Sequence, residues 1–221
     1  VTPTPFELAR RSLAKAPANV RNRVLFVRAS DDASSSSSSQ ALRGTIRRAL
    51  KSADDAVSRL GKLGLTKRQT VDVARMLLAF QSRSSRYLVL MEDDWLLCDG
   101  GMDALRYLIT KASLYHGANN WAALRFSYGL NGILVQTSDI LPLAKFLLDP
   151  GAEADNPLPD APVDHLTYRW LRGKYASARS HFGTRRIIAF RHTLFWHVGD
   201  ASAVGNTAMR HKPSCYAISR E

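Results

Sequence analysis

The chain has 221 residues, 45% of them hydrophobic and 23% charged, which suffices for a sizeable buried core and excludes a disordered chain. No run approaches the roughly 18 consecutive apolar residues of a membrane span, and the start Val1-Thr2-Pro3 has no signal-peptide apolar core. The net charge of +12 sits toward the front, where residues 1–70 hold 14 Lys and Arg against 5 Asp and Glu, while residues 71–221 hold 17 against 14.

A basic front of this kind suits nucleic acid or acidic lipid, or simply a solvated helical surface. No nucleic-acid motif accompanies it, so no nucleic-acid partner is expected. Cys98 and Cys215 permit one disulfide at most and are too few and too far apart for a zinc site. A first residue of Val rather than Met reads as a fragment or a processed form.

In chain order, residues 5–15 read as a short basic helix, 23–28 as a strand, 34–39 as a polar six-serine loop, and about 40–60 as a helix. Thr66 and Gln69 have capping-box spacing at the start of the next helix, whose apolar face is Val73, Leu77 and Phe80 with Val71, Ala74 and Leu78. A strand over 87–91 runs into Glu92-Asp93-Asp94. Asp99 is placed to cap a helix burying Leu105, Leu108, Ile109 and Ala112. Strands follow at 121–126 and 133–136 with a turn between them, then a helix to residue 148, a loop over 149–161, and a helix over 162–172. Two strands, at 186–190 and 193–198, close the pattern. Alternating strands and helices predict an α/β fold with a largely parallel sheet.

Three clusters carry chemistry. The first is the acidic triplet at a strand's end, where like charges raise one another's pKa unless a cation neutralises them. Side chains two apart share a strand face, so Glu92 and Asp94 point the same way. Such an arrangement suits a Mg²⁺ or Mn²⁺ ion, which takes one or two carboxylates and completes its shell with phosphate and water. The alternative is a solvated acidic turn. The second cluster is Phe195-Trp196-His197-Val198-Gly199, in which His197 is either an ion ligand or a half-buried histidine satisfied by backbone. In the third, Pro162-Val163-Asp164-His165, the aspartate serves either the helix dipole or general-base catalysis. Trp95, Trp121, Trp170 and Trp196 offer sugar-stacking faces or core, and Arg185, Arg186 and Arg191 offer a phosphate clamp.

Taken together, Arg68-Gln69-Thr70-Val71-Asp72, Tyr87 through Asp94, Trp121 through Ser127 with Gly129 and Gly132, Pro162-Val163-Asp164, and Phe190 through Gly199 resemble one known family in order and spacing. The stretch 67–206 resembles the catalytic domain of the mannosyl-glycoprotein 4-β-N-acetylglucosaminyltransferases. That resemblance implies a GT-A-like, mostly parallel sheet flanked by helices, a UDP-N-acetylglucosamine donor, a divalent ion (Mn²⁺), and an N-glycan mannose hydroxyl as acceptor. It would make Asp94 a metal ligand with His197 a second, Glu92, Asp93 and Arg191 donor contacts, and Asp164 the base. It also implies the Golgi or ER lumen, with a membrane anchor outside this chain. Residues 1–66 match poorly, an expectation of N-terminal truncation, and 207–221 form a tail. After Asp164 this chain has His165-Leu166-Thr167-Tyr168-Arg169-Trp170 where the family has an aromatic and acidic helix, a departure that falls on acceptor recognition. Other readings are a transferase for a glycolipid or GPI-anchor glycan, a metal-dependent nuclease or nucleotidyltransferase, and a basic nucleic-acid-binding module.

Overall fold

The computed structural model describes residues 65–80, 85–92, 95–149, 161–197 and 214–218. The helices expected over 5–15 and 40–60, the strand over 23–28 and the serine loop lie outside those residues. The first described helix, α1, spans Leu65–Phe80. Its face of Val71, Ala74, Leu77, Leu78 and Phe80 is buried as the periodicity requires. Thr66 is not its N-cap, because the helix has already begun at Leu65 and the Thr66 carbonyl instead accepts a bond from Thr70 Oγ1 at 3.0 Å.

Strands β1 (Tyr87–Leu90), β3 (Trp121–Arg125), β4 (Ile133–Gln136) and β5 (Arg186–Ala189) form one sheet in the order β1-β4-β3-β5. β4 is antiparallel to both β1 and β3, and only β3 and β5 pair in parallel. The fold is therefore mixed α/β with a mixed sheet, not the largely parallel one expected. The reason lies in the link 126–132, which is too short for a crossover and returns the chain as an antiparallel neighbour. The β3-to-β5 crossover, by contrast, carries helices, among the described residues α3 (Thr137–Leu148), α4 (Val163–Leu171) and α5 (Ala176–Phe182). Gly132 makes the return possible. Its φ is +67°, its N–H bonds Leu90 O at 2.9 Å, and a Cβ there would stand 2.9 Å from both Phe126 Cδ2 and Ser127 Cβ.

Alternation across the strands sends side chains to two cores. Leu88, Leu90, Ala123, Ile133 and Val135 pack with α1, α3, α4 and α5 through Leu77, Ile140, Leu143, Leu166 and Trp170. Val89, Trp121, Leu124 and Leu134 face the other way, where helix α2 (Gly101–His116) covers them with Leu105 and Ala112. Asp99 does not cap α2. Gly100 is the N-cap, in the left-handed region, and the Asp99 carbonyl accepts the Tyr216 hydroxyl instead. No described helix is long and apolar enough to cross a membrane.

A two-stranded ribbon stands apart from the sheet, made of β2 (Trp95–Leu97) and β6 (Phe195–His197) in antiparallel register. Cys98 is joined to Cys215 by a disulfide spanning 117 residues of sequence. On the far side of the fold, Asp139 in the first turn of α3 is only 1% exposed and accepts two bonds from Arg185, at 3.0 and 2.7 Å. His181 Nε2 lies 2.8 Å from the same carboxylate. Asp139→Ala strands the Arg185 guanidinium without this partner and is expected to cost about 2–3 kcal/mol in urea unfolding, less than a fully buried pair because Arg185 and His181 keep some solvent. An unchanged midpoint would show that water replaces the carboxylate.

Candidate functional site

The strand β1 delivers Met91, buried, and then Glu92, half-buried, at its C-terminal end. Glu92 is tied to Asn131 in both directions. Its N–H donates to Asn131 Oδ1 at 2.5 Å, and Asn131 Nδ2 donates to Glu92 Oε2 at 2.6 Å. Asn131 is itself set by the turn, its N–H bonding Tyr128 O at 3.0 Å. Asp93 and Asp94 lie outside the described residues, as does any common face shared by Glu92 and Asp94.

The chain resumes at Trp95, whose ladder partner is His197, with Leu96 opposite Trp196 and Leu97 opposite Phe195. The histidine is thus brought from about a hundred residues downstream to the position facing the residue after Asp94. Its imidazole is 4% exposed and stands edge-on to the Trp95 ring at 5.1 Å. The ribbon is pinned to the sheet by Leu194 N–H to Phe126 O at 2.9 Å and by Ser127 Oγ against Thr193 Oγ1 at 3.0 Å.

Asp164 sits in the first turn of α4, half-buried, on the wall of a cleft of about 310 Å³. Among the described residues Arg125, Gly129, His165, Tyr168 and Arg172 also line it. Among the described residues the Asp164 carboxylate makes no hydrogen bond or ion pair, so capping does not occupy it. Gly129, with φ +59°, lies so near that a Cβ there would be 3.6 Å from Asp164 Oδ2. One loop, 127–132, therefore bonds Glu92 through Asn131 and lines the Asp164 cleft through Gly129. Arg125 Nε donates to Ser127 O at 3.1 Å, its guanidinium carbon is 4.4 Å from the Tyr168 ring centroid, and that of Arg172 is 5.4 Å from the same centroid.

Several expectations change. Arg185 is committed to Asp139, so it is no clamp for phosphate. Arg186 bonds the carbonyls of Gly183 and Arg185, and Arg191 is exposed after β5 and does not line the cleft. Trp95, Trp121 and Trp170 are core, and only Trp196 presents a face to solvent, at 41%. Asn131, Arg125, Tyr168 and Arg172 were not singled out by motif. A four-residue period was there to be read, since Asp164, Tyr168 and Arg172 fall on one helical face. Among the described residues no three His, Cys, Asp or Glu side chains cluster closely enough to hold a metal ion, and that set does not include Asp93 and Asp94. Compared with family models, curated proteins and solved structures, the chain matches none.

Proposed function

We propose that this chain is the core of an inverting, metal-dependent glycosyltransferase with a GT-A-like sheet, moving N-acetylglucosamine from UDP-N-acetylglucosamine to a mannose hydroxyl of a glycan. The observation that carries the reading is the loop 127–132, which holds Glu92 through Asn131 and borders the Asp164 cleft through Gly129. Donor and acceptor chemistry need that adjacency. Ligands of open α/β sheets bind beyond the carboxyl ends of strands, and both Glu92 and Arg125 stand at such ends.

Asp164 is the base. An inverting transfer removes a proton from the acceptor hydroxyl as its oxygen attacks the anomeric carbon. A half-buried carboxylate that has no partner among the described residues can take it. Glu92, fixed by Asn131, offers its carboxylate to ribose hydroxyls or to ordered water. The implied Mn²⁺ fits these residues in kind, since a carboxylate at position 94 and the imidazole of His197, which faces the next residue along, are donors that this ion accepts. When bound, it would act as a Lewis acid toward the leaving diphosphate. The Cys98–Cys215 disulfide supports an oxidising compartment such as the Golgi or ER lumen.

The related reading, a transferase acting on a glycolipid or GPI-anchor glycan, gains from the two arginines in the cleft. The test is UDP-N-acetylglucosamine binding by the parent chain and by Asp94→Ala, with and without Mn²⁺. Metal-dependent binding in the parent that disappears in the variant is the expected result. A folded parent chain that binds no donor sinks the reading.

A further inference from the structure

Helix α2 has two apolar sides, and the fold uses one of them. Leu105 and Ala112 are buried against the sheet, with Met102, Leu108 and Ile109 partly buried beside them. Tyr107, Lys111, Leu114 and Tyr115, at spacing i, i+4, i+7 and i+8, form a second stripe on the side away from the sheet. Tyr107 is 59% exposed, Leu114 79% and Tyr115 70%. A lone exposed leucine needs no explanation. A leucine with two tyrosines on one helical stripe is an apolar surface that the fold leaves in solvent.

Charge selects what covers it. Lys111 Nζ donates to the Tyr107 hydroxyl at 2.9 Å and lies 5.2 and 5.8 Å from the ring centroids of Tyr107 and Tyr115. The bond to Tyr107 raises the Lys111 pKa above the ordinary lysine value, so the ammonium stays charged at neutral pH. Arg106 is offset by Asp103 at 3.4 Å, and no Asp or Glu follows Asp103 in the chain until Asp139. The stripe is therefore apolar with positive charge at its middle. A second copy of the chain fits it poorly, because a two-fold pairing centred on the stripe sets two Lys111 ammoniums against each other. Nucleic acid, bound through its phosphates, makes no use of Leu114. Anionic lipid uses every member, with leucine among the acyl chains, tyrosine rings at headgroup level and the ammonium on lipid phosphates. We infer that the outer face of α2 docks on an anionic lipid surface, inserting Leu114, Tyr107 and Tyr115 while Lys111 meets the headgroups. This stands apart from the transferase reading, since α2 carries none of the residues assigned to that site.

The experiment is flotation of the full chain with vesicles of phosphatidylcholine alone and of phosphatidylcholine with equimolar phosphatidylserine, at low salt. The parent is expected to partition to the mixed vesicles about tenfold or more strongly than to the neutral ones. Leu114→Ser and Tyr115→Ser should each weaken that binding about fivefold or more, by removing apolar area that the bilayer takes up. Both side chains are exposed, so neither change touches the core, and each variant checks the other. Lys111→Gln should cost about fivefold, the worth of one cation near the surface. Lys145→Gln removes the same charge from an exposed position on α3, which covers the opposite face of the sheet, and should leave binding within about twofold. Equal binding to the two kinds of vesicle overturns the inference, as does unchanged binding by Leu114→Ser and Tyr115→Ser. An equal loss in Lys145→Gln and Lys111→Gln also overturns it, because bulk charge is then responsible. So does a parent that binds neither vesicle but sediments as a dimer that Leu114→Ser dissociates, which would make a second copy the occupant.

Discussion

Asp164→Asn is expected to lower sugar transfer by about 10²–10⁴-fold while Mn²⁺-dependent UDP-N-acetylglucosamine binding stays within about twofold of the parent. Asparagine matches the carboxylate in size and keeps the approach of Gly129, but it cannot take up a proton from an attacking hydroxyl. The substitution should be quiet structurally, because among the described residues the Asp164 side chain holds nothing in place. Steady-state transfer rates and a donor titration on the same preparation separate the two effects. Transfer near the parent rate would place the base elsewhere. A large loss of donor affinity would mean that Asp164 belongs to the donor side of the cleft.

The second large effect concerns stability. Changing both cysteines to serine is expected to cost about 4–5 kcal/mol in equilibrium unfolding, the magnitude that chain entropy assigns to a cross-link closing a loop of order 100 residues. The bridge here closes 117. It also ties the segment 214–218 to the ribbon. Tyr216 N–H bonds Thr193 O and Thr193 N–H bonds Ala217 O, both at 2.9 Å, and His192 Nδ1 lies 3.0 Å from Tyr216 O. Those contacts brace the strand that carries His197, so metal affinity should fall along with stability. Urea unfolding of the parent and the double variant, compared at equal denaturant slope, reads the effect. Coincident midpoints would show that the backbone bonds hold the segment without the bridge.

Strands and helices with clear apolar periodicity were legible from the sequence. Val71, Leu77 and Leu78 announced α1, and the apolar run from Tyr87 to Met91 announced β1. Strand direction does not follow from the alternation of elements; the short link 126–132 already called for an antiparallel neighbour at β4, and only the pairing of β1 with β4 lay beyond it. The seven-residue α5 escaped notice since only Ala178 and Phe182 are buried along it, too few points to define a period. β2 escaped because Trp95, Leu96 and Leu97 form a strand only by pairing with β6, a partner remote in sequence. In the site, Glu92, Asp164 and His197 stood out through motif and charge. Asn131 read as turn chemistry, and its second role, gripping Glu92, depends on a contact across 39 positions. Arg125 and Arg172 read as ordinary members of a basic chain, and their shared approach to the Tyr168 ring arises only where the end of β3 meets α4.

The most direct measurement is electron spin echo spectroscopy of Mn²⁺ bound to the chain in the presence of UDP-N-acetylglucosamine, for the parent and for His197→Gln. A nitrogen coupling of a directly ligated imidazole in the parent, lost in the variant, is the result expected if the β2–β6 ribbon brings residue 197 to an ion held at the tip of β1. Bound Mn²⁺ with no such coupling, or with a coupling that survives the substitution, would contradict that arrangement.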